Sequence, residues 1–431
     1  MQSLTLAMIV VVTTFEFLVR GDDWGRWAVL PSVAKYVPEL LSLVAVLVVV
    51  FAGTRNRFQY VRPQYWLVFG ALVLTIVCGI LANSVDAGPI LAGTRTYLRA
   101  IPWFLIPAVY AFTNDEVRTQ LRLVAVIALL QAPLAIQQRL STAAQGSTTG
   151  DMTSGTLLIS SVMSIFLICV TAIAAAMLVR KKLNVRQFAL LAVLLLLPTT
   201  INETKGTLVL VPLALSLAFL AASAPGRRLK AIVTASSLLV VFGLVFFPVY
   251  DYYGMQRTYA VPLSEFLSDP ERVQGYLWKQ EEIGTTGAAG RVDSIIVPLQ
   301  RLSKDPITLT FGYGMGNASD SSLGHGFVGE HFDVLSPFLV IGFSRMLLEL
   351  GLLGTLLVFT LIWLVYQDSK AVARQRDDVV GALAAGWVSV TVVMGVCIFY
   401  KDLIIHTSIS YLFWYFSGLV AAMRMRPVHS N

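Results

Sequence analysis

Charge is what this sequence has least of. Only 13% of its 431 residues are Asp, Glu, Lys or Arg, against 56% that are hydrophobic, whereas a soluble domain carries about 25% charged residues. So little charge cannot cover a water-facing surface, which excludes an ordinary soluble domain. Cysteine is also scarce. Cys78, Cys169 and Cys397 each fall inside an apolar block, share no loop in which to pair, fit no metal-ligand spacing and read as small core residues. There is no P-loop. Phe311-Gly312-Tyr313-Gly314-Met315-Gly316 lacks the βαβ setting of a dinucleotide site and reads as a tight chain reversal after a β-like run, Ile307 to Phe311. The apolar blocks do not alternate apolar and polar residues, which argues against an outer-membrane barrel.

What the sequence has instead is length in its apolar blocks. Many run for about 18 to 24 residues, enough for a helix to cross ~30 Å of hydrocarbon, where the backbone must bond within helices or closed barrels. With a mean hydropathy of +0.72, the expected class is an all-α polytopic integral membrane protein with about twelve transmembrane helices. These are placed near 2–19, 33–52, 65–82, 99–113, 120–137, 156–179, 188–200, 208–224, 231–250, 340–366, 379–399 and 402–422. Residues 1–250 then hold about nine helices, 251–333 form one large loop, and 334–431 hold about three more. The first block lacks a basic leader and an A-x-A-like cleavage site, so it reads as a retained helix.

The net charge of +7 sits in short clusters at helix ends and signals orientation rather than nucleic acid. Alternate short loops divide Lys and Arg about two to one. The richer set includes Arg55, Arg62, Arg118, Arg180, Lys182, Arg227, Arg228, Lys370, Arg374 and Arg424; the poorer includes Arg20, Lys35, Arg95, Arg99, Arg139, Lys205 and Lys401. The richer side is expected to be cytoplasmic, which puts both termini inside and 251–333 outside. No internal repeat of the inverted transporter type is visible.

A loop of about 80 residues is too long for a passive connection. This one carries Tyr252, Tyr253, Tyr259, Phe266, Tyr276, Trp278 and Tyr313, with helical spacing over 262–283 and 291–303, and is expected to form a small, mostly helical cap. Tyr252, Tyr253, Tyr259 and Trp278 are candidates to stack on sugar rings; the alternative is that they pack the cap or sit at the membrane interface. Lys205 lies in a short polar break, Thr200 to Thr207, where a charge near membrane depth faces a cavity, a partner such as Glu203, or the surface. Arg95 and Arg99, four apart, would share a helix face at the outer interface, contacting membrane lipids or a substrate. Arg291, in Gly290-Arg291-Val292-Asp293, opens a helix in the cap. Further on come His325, Glu330, His331 and Asp333, then Arg345 and Glu349. The histidines lack H-E-x-x-H spacing, so no metal is expected. His331 and Glu330 are candidates for a general base, the task His and carboxylates most often perform.

Taken in order, these pieces resemble the O-antigen ligase and Wzy-type polysaccharide polymerase superfamily, whose members carry one large periplasmic loop near the C-terminal end. The resemblance rests on Gly290-Arg291, on Asp305-Pro306 followed by the Gly312-Tyr313-Gly314 turn, and on Leu348-Glu349-Leu350-Gly351-Leu352-Leu353-Gly354, with Lys205-Gly206 where the family often has Arg-Gly. It covers residues 195–366 in motifs and the whole chain in topology. Where ligases of the group show a His-Asn pair shortly before the Glu-x-Gly element, this chain has Pro337 to Leu339, with His331 the nearest histidine. That departure points to a polymerase.

The resemblance implies a substrate glycan on undecaprenyl diphosphate at the outer face of a bacterial cytoplasmic membrane, and transfer without cofactor or metal. Arg291 and Lys205 are expected on the diphosphate, with Arg95, Arg99 and Arg345 as helpers, because guanidinium forks suit phosphate oxygens. A chain-length regulator and a flippase of the same pathway are candidate partners. Three other readings remain open: a ligase moving finished glycan to an acceptor, a glycan transporter or flippase, and a non-catalytic assembly subunit. The few ionisable residues inside apolar blocks, Glu16, Glu39 and Glu349, disfavour a mid-bilayer transport path.

Overall fold

The computed structural model describes all residues except 22–26, 57, 145–149, 255–262, 279–288, 322 and 427–431. Among the described residues it is helical throughout, with no strand. Before the long loop come α1 (Gln2–Arg20), α2 (Val37–Asn56), α3 (Pro63–Ala82), α4 (Ala87–Tyr97), α5 (Ile101–Val109), α6 (Asn114–Ala144), α7 (Ser160–Val179), α8 (Val185–Ile201), α9 (Thr207–Ala222) and α10 (Arg228–Gly254). The loop carries α11 (Leu263–Ser268), α12 (Pro270–Trp278), α13 (Asp293–Leu302), α14 (Pro306–Phe311) and α15 (Phe332–Leu335). After it come α16 (Gly342–Gln375), α17 (Val379–Cys397) and α18 (Thr407–Met425).

Among the described residues, eight helices are long and apolar enough to cross a membrane: α1, α2 with the turn before it, α3, α6, α7, α10, α16 and α17. The other helices expected to cross fall short for visible reasons. α8 and α9 have only 17 and 16 residues, α5 has nine, and α18 mixes Ser408, Ser410, Tyr411, Tyr415 and Ser417 into its apolar sequence.

Burial sorts the helices into layers. α7 and α17 are buried along most of their length, packed on each other and on α9. α16 runs beside α17 and α3, α5 lies against α18 and α2, and α10 is mostly exposed outside α8 and α9. Local signals set several starts. Asn184 and Gln187 form a reciprocal capping box at α8, and the Asp378 side chain accepts from the Gly381 N–H at α17, each satisfying donors that a helix start leaves open. The Ile307–Phe311 run, which reads as β-like, is instead helical. Asp305 accepts from the Thr308 N–H at 2.9 Å and Pro306 occupies the first turn, so capping overrides strand propensity. The same hydrogen bond, with that from Ile307, holds the Asp305 carboxyl below its ordinary range.

Among the described residues, every ion pair between distant parts of the chain joins charges assigned to the same side. Arg139 meets Glu203 at 2.9 Å, and Arg95 and Arg99 meet Glu39. At the other end Arg180 meets Asp377, and fully buried Asp368 is held by Arg62, Arg424 and the Tyr65 hydroxyl. The two basic loop sets therefore lie at opposite ends of the bundle.

The glycine-rich turn locks into a break in α16. Gly351 has φ +68° and interrupts the helix, and the Leu348 carbonyl accepts the Tyr313 N–H at 2.7 Å instead. Gly312, φ +72°, is pressed so close that an added Cβ would sit 2.6 Å from that carbonyl oxygen, and one on Gly351 would sit 2.3 Å from the Thr310 oxygen. Gly312→Ala should therefore destabilise the protein by more than the ~1–2 kcal/mol that left-handed backbone costs a Cβ-bearing residue, read as a lower unfolding temperature in detergent. An unchanged temperature would show that the turn is not wedged there.

Candidate functional site

At the end of the bundle that carries the poorer basic set, α4 and α5 meet in a turn over 98–100. Arg95 thus lies in the last turn of α4 and Arg99 in the break itself, rather than on one helix face. They still converge. The Arg95 Nε donates to Glu39 Oε1 at 2.8 Å, and the Arg99 Nη1 donates to the same oxygen at 3.1 Å. The Arg99 Nη2 also donates to the Ile405 carbonyl at 2.8 Å. The α16 residue Arg345 is buried and bonded to Asp402 and Ser319. Arg95, Arg99 and Arg345 line one cavity of about 420 Å³, together with Lys35, Glu39 and His406.

The carboxylates hold the guanidinium groups in place without using up their donors, since each guanidinium carries five N–H groups. Arg99 Nε is buried with no hydrogen-bond partner among the described residues. Preset cations of this kind suit an anion with several oxygens, such as a diphosphate.

No protein-family model and no curated protein matches this chain.

His406 is the residue sequence reasoning missed. It was expected inside a helix over 402–422, but α18 begins only at Thr407, and 398–406 forms a connection at the cavity. The His406 Nε2 is buried without a hydrogen-bond partner among the described residues. Burial pushes its pKa down to about 4, with Lys401, Arg99 and Arg345 pushing the same way against Asp402. The ring is therefore neutral at pH 7, and it becomes a stronger base only when an anion bound beside it favours the protonated form. The unfolded chain takes up that proton near pH 6.5 and the folded chain only near pH 4. Stability is thus full above pH 6.5 and falls, by about 3 kcal/mol at most, as pH drops towards 4. Thermal unfolding of His406→Asn at pH 7.5 and pH 5 should show a smaller pH difference than wild type. Equal differences would show that His406 does not titrate in this way.

Of the other predicted cations, Arg291 lies against Tyr400. The Arg291 guanidinium lies 4.9 Å over the Tyr400 ring and its Nε donates to the Tyr400 carbonyl at 3.3 Å. Gly206, next to Lys205, touches the same ring so closely that a Cβ would lie 2.7 Å from it. Tyr400 and Asp402 share one short connection, so Arg291, on Tyr400, and Arg345, on Asp402, are joined through it. Glu203 is paired with Arg139, in a bridge that fixes the turn carrying Lys205 to α6.

Glu330 and His331 stand elsewhere on the loop. The His331 ring packs 4.5 Å from that of Tyr313 and its backbone N–H donates to the Asn317 carbonyl, while the Glu330 side chain is exposed. Neither is among the residues lining the 420 Å³ cavity. Tyr252 and Trp278 are exposed; Tyr259 and the Tyr253 side chain lie outside the described residues. Among the described residues, no group of three or more His, Cys, Asp or Glu is placed to hold a metal ion.

Proposed function

We propose that this protein is a membrane glycosyltransferase that polymerises oligosaccharide repeat units carried on undecaprenyl diphosphate. The observation that carries this reading is the cavity where Arg95, Arg99 and Arg345 converge beside a neutral His406. The motif resemblance over 195–366 supports it. In this reading α1, α2, α3, α5 to α10 and α16 to α18 make twelve crossings, 251–333 caps the outer face of the cytoplasmic membrane, and both termini are cytoplasmic.

The chemistry follows from the charges. An acceptor sugar hydroxyl attacks the anomeric carbon of the donor, the bond from that carbon to the diphosphate oxygen breaks, and the electron pair leaves on the diphosphate. Fixed guanidinium groups stabilise that developing charge, the kind of preset electrostatics that accounts for much of enzymatic rate enhancement. Arg291 and Lys205 extend the grip from the Tyr400 side. We assign the hydroxyl proton to His406, which lines the cavity, ahead of Glu330 and His331. We assign exposed Tyr252 and Trp278 to stacking on sugar rings.

Deleting the gene in the producing bacterium should leave single-repeat glycan and abolish the long ladder. An unchanged ladder would reject the polymerase. A normal ladder that no longer reaches its final acceptor would show the ligase instead.

A further inference from the structure

A second cavity, of about 740 Å³, opens at the opposite end of the bundle among α7, α9, α10, α16 and α17. α7 runs from the first cavity, at Ile159, to the second, at Val179 and Arg180, and its 20 residues separate them by about 30 Å. Five cations line the second cavity: Arg180, Arg227, Arg228, Lys370 and Arg374. Arg180 is committed to Asp377 and the Ala373 carbonyl. Among the described residues no carboxylate pairs with Arg227, Arg228, Lys370 or Arg374, and no acidic residue lines the cavity. Above this basic rim the wall is apolar, formed by Leu217, Leu220 and Val388. Val388 stands ten residues past the Asp378 cap, about 15 Å into α17. Next to Arg228, α10 exposes Leu229, Ile232 and Val233.

We propose that this cavity binds the headgroup of an anionic phospholipid, with the acyl chains lying along its apolar wall and the outer face of α10. A soluble anion would satisfy the rim but leave the apolar wall wet, whereas a lipid matches both. Basic pockets between membrane helices on the more basic face are suited to phosphate-bearing headgroups. The inference does not rest on the proposed glycan chemistry, which is assigned to the other end.

The test is thermal unfolding of the purified full-length protein in a neutral detergent, titrated separately with phosphatidylglycerol, cardiolipin, phosphatidylcholine and inorganic diphosphate. Phosphatidylglycerol or cardiolipin should raise the unfolding temperature saturably; phosphatidylcholine and diphosphate should not. In the Arg227→Ala/Arg228→Ala/Arg374→Ala variant the half-saturating lipid concentration should rise about tenfold or more. Equal protection by diphosphate would show a soluble-anion site, and an unchanged response in the triple variant would place the lipid elsewhere; either overturns the proposal. Should the triple variant fail to fold, Leu220→Trp, which fills the wall and keeps every cation, should abolish the saturable response. Its persistence there would overturn the proposal too.

Discussion

Replacing Arg99 with alanine should lower glycan transfer by about a hundred- to a thousandfold, the loss typical when one preset donor to a developing negative charge is removed, while the protein still reaches the membrane. Arg99 performs two tasks at once. Its guanidinium lines the cavity, and it also ties Glu39 in α2 to the Ile405 carbonyl, one residue before His406. In the proposed mechanism alanine removes a donor to the diphosphate and frees the segment that carries His406. Arg99→Lys keeps the charge but not the fork that spans both anchors, and should recover only part of the rate. The quantity to measure is kcat on a lipid-diphosphate-linked repeat unit, because a developing charge is stabilised in the transition state more than in the bound substrate. Full activity in Arg99→Ala would show that the leaving group departs elsewhere.

The largest expected effect on stability lies at the other end. Asp368 is fully buried and accepts from Arg62 at 2.5 Å, from the Tyr65 hydroxyl at 2.8 Å and from Arg424. One carboxylate thereby ties α3, α16 and α18 together, and two guanidinium groups depend on it. Breaking such a buried arrangement by removing one partner costs about 3–5 kcal/mol, chiefly because charges are left without compensation. Asp368→Ala should lose about that much in denaturant unfolding of the detergent-solubilised protein, and Asp368→Asn somewhat less, since an amide still accepts one hydrogen bond. A loss below about 1 kcal/mol would mean that water already screens the cluster. Because Asp368 lies about 23 residues and a helix break away from Arg345, any residual activity of folded variants should keep its normal substrate dependence.

Local and periodic features were legible in the sequence. Apolar block length marked the helices, and the alternation of Lys- and Arg-rich loops sorted the charges into two ends that the ion pairs respect. The loop helices α11 to α13 fall within the stretches whose spacing marks them. What stayed hidden depends on contacts between distant residues. Arg345 is 57 residues from Asp402, and nothing local to either announces the pair. Gly351 reads as one small residue in an apolar helix; only the arrival of Tyr313 at the Leu348 carbonyl explains why the helix breaks there. His406 was masked because the apolar block around it reads as continuous helix, and its place beside the cavity comes from the late start of α18. Arg95 and Arg99 were grouped correctly for the wrong reason: a shared carboxylate joins them, not a shared helix face.

The most direct measurement uses purified protein in bilayer nanodiscs supplied with an undecaprenyl-diphosphate-linked repeat unit. Chains of two or more units should appear together with one free undecaprenyl diphosphate for each new linkage, and both should vanish in Arg99→Ala. Substrate recovered intact from folded wild-type protein would contradict the assignment of the arginine cavity to glycan transfer.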